Sequence, residues 1–338
     1  MDDFLEDPRF ADEAFPPSTP AAESMDPAPL QAGLAAIEQR ALPLHGLLIV
    51  RRGRRVLERH GADQGRQLTP ADARHLYSTT KTLTGTLVGL AIADGCIPSL
   101  RARAVEFFAS GEVERRTPSI ERIRIEDLLT MRSGLDYEEG REENERVFSS
   151  AACAATTFLS RPMVAEPGQR WNYSSADSQI LAEVVRRTTG RTPLEYARER
   201  ILEPLAIRHV EWLADTSGTQ FGGRGLSLRP RDLARFGWML LSRGCWNDAQ
   251  LVPTKWVEAA THQQVVATSG WSPGEGYGYH CWVPRLGGFA TRGYMGQVMY
   301  IFPDCELVIV FTGALVPPER ADSLLDDLVR TFILSAVE

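Results

Sequence analysis

Two residues three apart pose the chemical question. Ser78 and Lys81 stand in the stretch YSTTKTLTG, residues 77–85. On a helix, Lys81 lies one turn along the same face as Ser78. A serine hydroxyl becomes a nucleophile when a neighbour takes its proton. Lysine can do so only in its neutral form, which requires lowering a pKa of about 10.4 by burial or by a nearby cation. A serine at a helix start also sits among unpaired backbone N–H groups, which can stabilise a developing oxyanion. The competing reading is that Ser78 or Thr79 caps a helix and Lys81 is a solvated side chain. Lysine is scarce here, Lys81 and Lys255 being the two in the chain, so its position after Ser78 is a modest signal.

Two further stretches carry candidate chemistry. In EPGQRWNYSSADSQIL, Tyr173 follows a Pro-Gly turn and precedes a helix that Ser175 or Asp177 could cap. A tyrosine on that shoulder could relay protons with Lys81, or it could be an ordinary core residue. In TRGYMGQVMYIFP, Gly293 and Gly296 lie three apart in a strand, where glycine weakens the strand unless a backbone must approach closely. A substrate pairing with that edge would explain them, with the N–H of Gln297 as a second oxyanion donor. A bulge in an edge strand would explain them equally well.

The surrounding pattern supplies the elements that must position these residues. LQAGLAAIEQRAL reads as an amphipathic helix, and GLLIVRRGRRVLERHG as two strands around RRGR. TLTGTLVGLAIADG places Leu83, Leu87 and Leu90 on one helical face and stops at Gly95. IRIEDLLTMRSG reads as a short helix ending at Gly134, and DSQILAEVVRRTTG as a helix stopping at Gly190. After the helix in RPRDLARFGWMLLSRG, the segments YHCWVP, FATRGYMGQ, VMYIFP and LVIVFTG read as consecutive antiparallel strands. ADSLLDDLVRTFILSAVE reads as a final amphipathic helix. The fold class is therefore α+β. An antiparallel sheet is formed by the N- and C-terminal segments and flanked by helices, with a mainly helical insertion. The boundaries expected are a flexible or loosely draped extension over 1–28, a sheet domain over 29–75 and 222–338, and a helical domain over 76–221, with the active site between the two domains.

Composition narrows the classes. The chain has 338 residues and a formal net charge of −7, so it offers no basic field for nucleic acid. Five widely spaced cysteines without a Cys-x-x-Cys pair argue against a zinc site or a disulfide framework and fit reduced thiols in a cytoplasm. The acidic start MDDFLEDPRF does not read as a secretory signal, and the longest apolar runs are too short to span a bilayer.

Taken together, these segments resemble the serine β-lactamase-like superfamily. It includes class C β-lactamases, penicillin-binding proteins, carboxylesterases and 6-aminohexanoate-dimer (nylon-oligomer) hydrolases. Ser78-Thr79-Thr80-Lys81 looks like the family's Ser-x-x-Lys, and IRIEDLLTMRSGLDY like the segment that follows it. Tyr173-Ser174-Ser175 sits where Tyr-x-Asn is expected, GGRGLSLRPRDLARFG resembles the Gly-Gly stretch, and Tyr294-Met295-Gly296 sits where Lys-Thr-Gly or His-x-Gly is expected.

The resemblance implies an acyl-enzyme on Ser78, with Lys81 and Tyr173 moving protons and the N–H groups of Ser78 and Gln297 holding the oxyanion. Gly296, Ser175 and Tyr294 would contact the substrate, a small-molecule ester or amide; the resemblance implies no metal or cofactor and is compatible with a homo-oligomer. The departures favour a linear amide or ester over a β-lactam. Ser175 replaces the asparagine that orients the substrate amide, and Tyr294-Met295 removes the cation and hydroxyl that grip a β-lactam carboxylate. A weak β-lactamase, a D-amino-acid peptidase, or an inactive homologue binding a peptide-like ligand are the alternatives. The acidic loop LDYEEGREENERVF reads either as a solvated charge run or as a lid favouring an amine-bearing substrate. His75 and His280 match no motif and read as structural or surface residues.

Overall fold

The computed structural model describes residues 14–269, 272–317 and 320–337. In chain order, the elements used below are α1 (Pro27–Gln39), β1 (Leu44–Arg51), β2 (Arg54–His60), α2 (Thr80–Ala93), α3 (Glu142–Ser150), α4 (Ser175–Thr189), α5 (Pro230–Leu241), β3 (Phe289–Gly293), β4 (Gln297–Phe302), β5 (Leu307–Gly313) and α6 (Ala321–Leu328). The chain divides into two compact units. The first takes the chain as far as Arg74, together with Leu228–Ser242 and Leu286–Glu338; the second is His75–Ser227 with Arg243–Arg285.

The first unit is built on an antiparallel sheet with strand order β3-β4-β5-β1-β2. The β1–β5 pairing, Leu47↔Phe311 and Ile49↔Ile309, joins the two ends of the chain, as the α+β reading requires. Every residue of β4 and β5 is buried, because helices cover both faces. On one face α1 packs against the C-terminal helical segment, and Gly33 makes room for Phe332: a Cβ there would meet the Phe332 ring stem at 2.8 Å. On the other face α5 lies on Met299 and Val308 through Gly237, where a Cβ would come 2.4 Å from the Met299 sulfur. The C-terminal segment is not one regular helix. It passes from α6 through a π-helical turn, Val329–Ile333, into a 3₁₀ turn, Leu334–Ala336.

The flexible-extension expectation needs correction from residue 14 onward, residues 1–13 lying outside the described residues. Phe15 is 2% exposed and meets Trp238 edge-on at a centroid distance of 6.0 Å. Pro17 bridges to Arg55, and Met25, also buried, bridges to Val337. A composition rich in Pro, Asp and Glu hid two apolar anchors, which suffice to hold a short segment against an existing core.

The second unit is mainly helical. It includes 243–285, which the sequence reading gave to the sheet domain. The reason lies in α2. Its residues from Thr80 to Ala91 are all buried, so the helix is enclosed rather than amphipathic. Gly89 lies under the Trp256 indole, where a Cβ would come within 2.2 Å, and Gly85 lies under Tyr279 and His280. The threonine hydroxyls are satisfied inside: Thr82 donates to the His280 carbonyl at 2.8 Å, Thr84 to that of Gly222 at 2.7 Å, and Thr86 back to Thr82 at 2.8 Å. Among the described residues no helix is long and apolar enough to cross a membrane.

Phe15→Ala should cost about 3 kcal/mol of stability, as truncation of a buried phenylalanine does. Urea unfolding of the purified protein measures it. A loss below about 0.5 kcal/mol would mean the segment is not anchored there.

Candidate active site

The nucleophile candidate sits on a strained turn. A 3₁₀ turn, Tyr77–Thr79, leads into α2, and Tyr77 has φ +47° in the left-handed region. A bulky residue there costs on the order of 1–3 kcal/mol and persists only when its surroundings enforce it. The His75 ring packs edge-on to Tyr77 at 4.2 Å. Neither this turn nor α2 carries a side-chain cap, so capping does not account for Ser78 or Thr79.

Lys81 is not solvated: it is 1% exposed. Its Nζ donates to Ser78 Oγ at 2.9 Å, to Ser175 Oγ at 2.9 Å and to the Gly223 carbonyl at 3.1 Å, which uses all three ammonium protons. Burial lowers its pKa to about 8, with Glu139 and Asp177 opposing the shift and Arg224 adding to it. About a tenth of the molecules would then hold a neutral amine at pH 7. The Tyr173 ring lies under Nζ, 4.6 Å from centroid to nitrogen, and stacks on Trp282 at 5.9 Å and 25°. Trp171 and Tyr277 complete this aromatic wall.

The Gly-Gly stretch has a clear physical role. A Cβ on Gly223 would stand 3.0 Å from Ser175 Oγ and 3.2 Å from Lys81 Nζ, and one on Gly222 would strike the Ser178 carbonyl at 2.0 Å. Only glycines let this backbone approach closely enough for its carbonyl to reach the buried amine.

The N-cap of α4 is Ser174, not Ser175 or Asp177: Ser174 Oγ accepts from the Asp177 N–H at 3.0 Å. That leaves Ser175 at the first helical position, with its side chain free to serve Lys81. Behind it, Asp177 is fully buried and held by Ser133 at 2.7 Å and Ser174 at 3.0 Å. Burial raises its pKa to about 7. His280 is also buried, meets Ser178 at 3.2 Å, and is pushed down to about 3 by burial and by Lys81, so it stays neutral.

The sequence did not single out Glu139. Its carboxylate accepts from Ser175 Oγ at 2.8 Å and from the Ser175 N–H at 3.0 Å. Arg224, which follows Gly223, pairs with Glu145 of α3 and lies over the Phe148 ring at 4.3 Å. The acidic loop thus divides. Glu138, Glu142 and Glu143 pair with Arg141, Arg146 and Arg161, while Glu139 and Glu145 reach residues around Lys81. The signal was the charge run itself, but nothing in its spacing distinguishes the acids that turn inward.

Tyr294, Gly296 and Gln297 form a separate group in the first unit, at the β3–β4 turn. Met295 and Gly296 take φ +62° and +86°, and Gln297 pairs with Gly293. The Gln297 side chain donates to the Gly313 carbonyl at 2.6 Å. Arg292, one residue before Gly293, is buried in a two-pronged pair with Asp326 at 3.0 Å, a carboxylate that also accepts from Tyr300 at 2.6 Å. Among the described residues no group of three or more His, Cys, Asp or Glu could hold a metal ion.

Since lysines are only two, the buried one can be watched directly. In a lysine-labelled NMR titration, one side-chain signal should titrate near 8 and vanish in Lys81→Met. A Lys81 signal titrating above 10 would show that the amine is hydrated in solution.

The chain is 27% identical over 328 residues to a 6-aminohexanoate-dimer hydrolase of Paenarthrobacter ureafaciens, covering 90% of this chain and 81% of that protein. It is 25% identical over 202 residues to a lovastatin esterase of Penicillium rubens, covering 54% and 50%. Its fold matches the octameric penicillin-binding protein homologue of Pyrococcus abyssi with a TM-score of 0.69 at 19% identity, covering 91% and 79%. The profile described as Beta-lactamase matches residues 31–331, and the chain belongs to that family.

Proposed function

We propose that this protein is a serine hydrolase that forms an acyl-enzyme on Ser78 and hydrolyses a linear amide or ester. The observation that carries the reading is the 2.9 Å contact between Ser78 Oγ and a buried Lys81 whose pKa is lowered to about 8. A general base works best with a pKa near the operating pH. Neutral Lys81 takes the Ser78 proton as Oγ attacks the carbonyl carbon. The new ammonium lies over the Tyr173 ring, whose face favours a desolvated cation. Collapse of the tetrahedral adduct breaks the bond to the amine or alcohol, which receives the proton from Lys81, with Tyr173 as relay. Water then attacks the acyl ester as Lys81 takes its proton, and collapse breaks the acyl–Oγ bond while Lys81 returns that proton to Ser78 Oγ, restoring both the hydroxyl and the neutral amine. The resemblance assigns the oxyanion to the N–H groups of Ser78 and Gln297 and substrate contacts to Gly296, Ser175 and Tyr294, and the proposal keeps those assignments. The amide and ester relatives support the reaction class, and the octameric relative supports a homo-oligomer.

A serine-reactive phosphonate should add once per chain, and the adduct should disappear in Ser78→Ala. Lys81→Arg keeps the charge but cannot release a proton, so its turnover should fall by the ~10²–10⁴-fold that loss of a general base costs. An adduct that survives Ser78→Ala, or near-normal turnover in Lys81→Arg, would sink the assignment.

Substrate choice has its own test. Tyr294-Met295 lacks the cation and hydroxyl that would hold a β-lactam carboxylate, and Arg292, which could have replaced the cation, is committed to Asp326. A missing charge-assisted hydrogen bond is worth roughly 1.5–3 kcal/mol, or about one to two decades in kcat/KM. A p-nitrophenyl butyrate ester should therefore outrun nitrocefin, and Tyr294→Lys should shift the ratio towards nitrocefin. Efficient nitrocefin turnover by the wild type would contradict this.

A further inference from the structure

Glu139 touches neither Ser78 nor Lys81, yet the hydrogen-bond directions around Lys81 depend on it. A carboxylate only accepts. The Ser175 hydroxyl, 2.8 Å from Glu139 Oε1, must therefore donate its single proton to Glu139. Its oxygen is then left to accept from Lys81, at 2.9 Å. The Gly223 carbonyl, at 3.1 Å, has no proton to give. When Lys81 loses a proton it keeps two N–H donors and gains one lone pair. The two donors are matched by Ser175 and Gly223, and the lone pair faces Ser78.

We propose that Glu139 is a positioning residue for this reaction. By holding the Ser175 hydroxyl proton, it leaves Ser78 as the one hydroxyl among the hydrogen-bond partners of Lys81 that can offer its proton to the neutral amine. The proposal rests on the reading of Lys81 as the base. An asparagine at position 175 would present a carbonyl oxygen, an acceptor by nature. A serine is ambivalent: without a stronger acceptor it can turn its proton onto the lysine lone pair, and a base occupied in that way no longer activates Ser78. Glu139 removes the ambivalence. Its bond from the Ser175 N–H at 3.0 Å fixes the carboxylate in place on the first turn of α4.

Two consequences separate this role from packing. The first is geometric: any side chain at 139 that accepts the Ser175 proton should serve, whatever its charge. The second is electrostatic. The Glu139 charge favours the Lys81 ammonium, so removing it should move the acid limb of the pH–rate profile to lower pH. The other groups facing Lys81 are Asp177, which favours the ammonium; Arg224, which opposes it; the Tyr173 ring; and His280, which stays neutral. Asp177 itself changes charge near 7, but it is present in every variant compared, so it does not produce a difference between them.

The test uses the full chain, with kcat for a p-nitrophenyl ester measured across pH in Glu139→Ala, Glu139→Gln, Ser175→Ala and Glu139→Ala/Ser175→Ala. Glu139 is exposed, so these changes disturb little packing. Glu139→Ala should lose about tenfold in kcat, less than deletion of a general base, and its acid limb should move to lower pH. Glu139→Gln keeps one oxygen that accepts the Ser175 hydroxyl proton but puts an amide NH2 group where the second carboxylate oxygen met the Ser175 N–H, so it should recover part of the lost kcat while keeping the lowered limb. In the Ser175→Ala background, removing Glu139 should cost no further kcat. Equal kcat in Glu139→Ala and Glu139→Gln, or a full tenfold loss in the Ser175→Ala background, would overturn the proposal. If Lys81→Arg is inactive under the same conditions, that failure falls on Glu139 alone. If Lys81→Arg is active, the base reading falls and this proposal with it.

Discussion

The burial of one amine governs the local architecture. A lysine ammonium taken out of water is expensive unless its protons are matched and its charge is relieved. Around Lys81 both requirements are met by separate parts of the chain. Ser78 comes from the turn before α2, Ser175 from the first turn of α4, and the Gly223 carbonyl from a stretch whose glycines allow a backbone to come close. The remaining cost appears as a pKa near 8. Full solvation would keep this side chain charged across the neutral range.

That constraint explains features that look unrelated. The threonines of α2 find their acceptors inside because the helix holding Lys81 must be enclosed on all sides. Gly85 and Gly89 clear space for His280 and Trp256, which close over the helix. His280, buried beside the same charge, is kept neutral, so it does not compete for the proton. The acidic loop sends Glu139 to the hydroxyl that Lys81 must share, and Glu145 to the arginine that opposes the ammonium.

Much of the fold was legible in the sequence because local rules and packing agree there. The β1–β2 hairpin, the stop of α4 at Gly190 and the runs that become β3, β4 and β5 follow from apolar periodicity and turn residues. Where packing overrode local pattern, the reading failed. Residues 14–28 look polar and loose, yet Phe15 and Met25 lock them down. Residues 243–285 do form short antiparallel strands, at Val265–Val266, Gly276–Tyr277 and Trp282–Val283, yet Trp256 and Tyr279 tie the segment to α2. Neither outcome is encoded in a window of ten residues, because the surface each segment covers is supplied by residues far away in the chain.

The candidate site divides in the same way. Residue types and spacing offered Ser78, Lys81 and Tyr173 as candidates, and the order of the surrounding segments, through the family resemblance, raised them above the bland readings. The alternative, that Ser78 caps and Lys81 is solvated, could be decided only by the tertiary structure, since burial depends on what surrounds α2. The same holds for Arg292. Its partner, Asp326, lies on a helix 34 residues later. Glu139 shows the limit most clearly. In sequence it is one acid among many in a charged loop. It becomes distinct only when the fold sets its carboxylate against the one hydroxyl whose proton has two possible destinations. The sequence determined which groups could react. The tertiary structure decided which of them would be dry, which would be paired, and in which direction each proton points, because those properties belong to the space between segments and not to any segment alone.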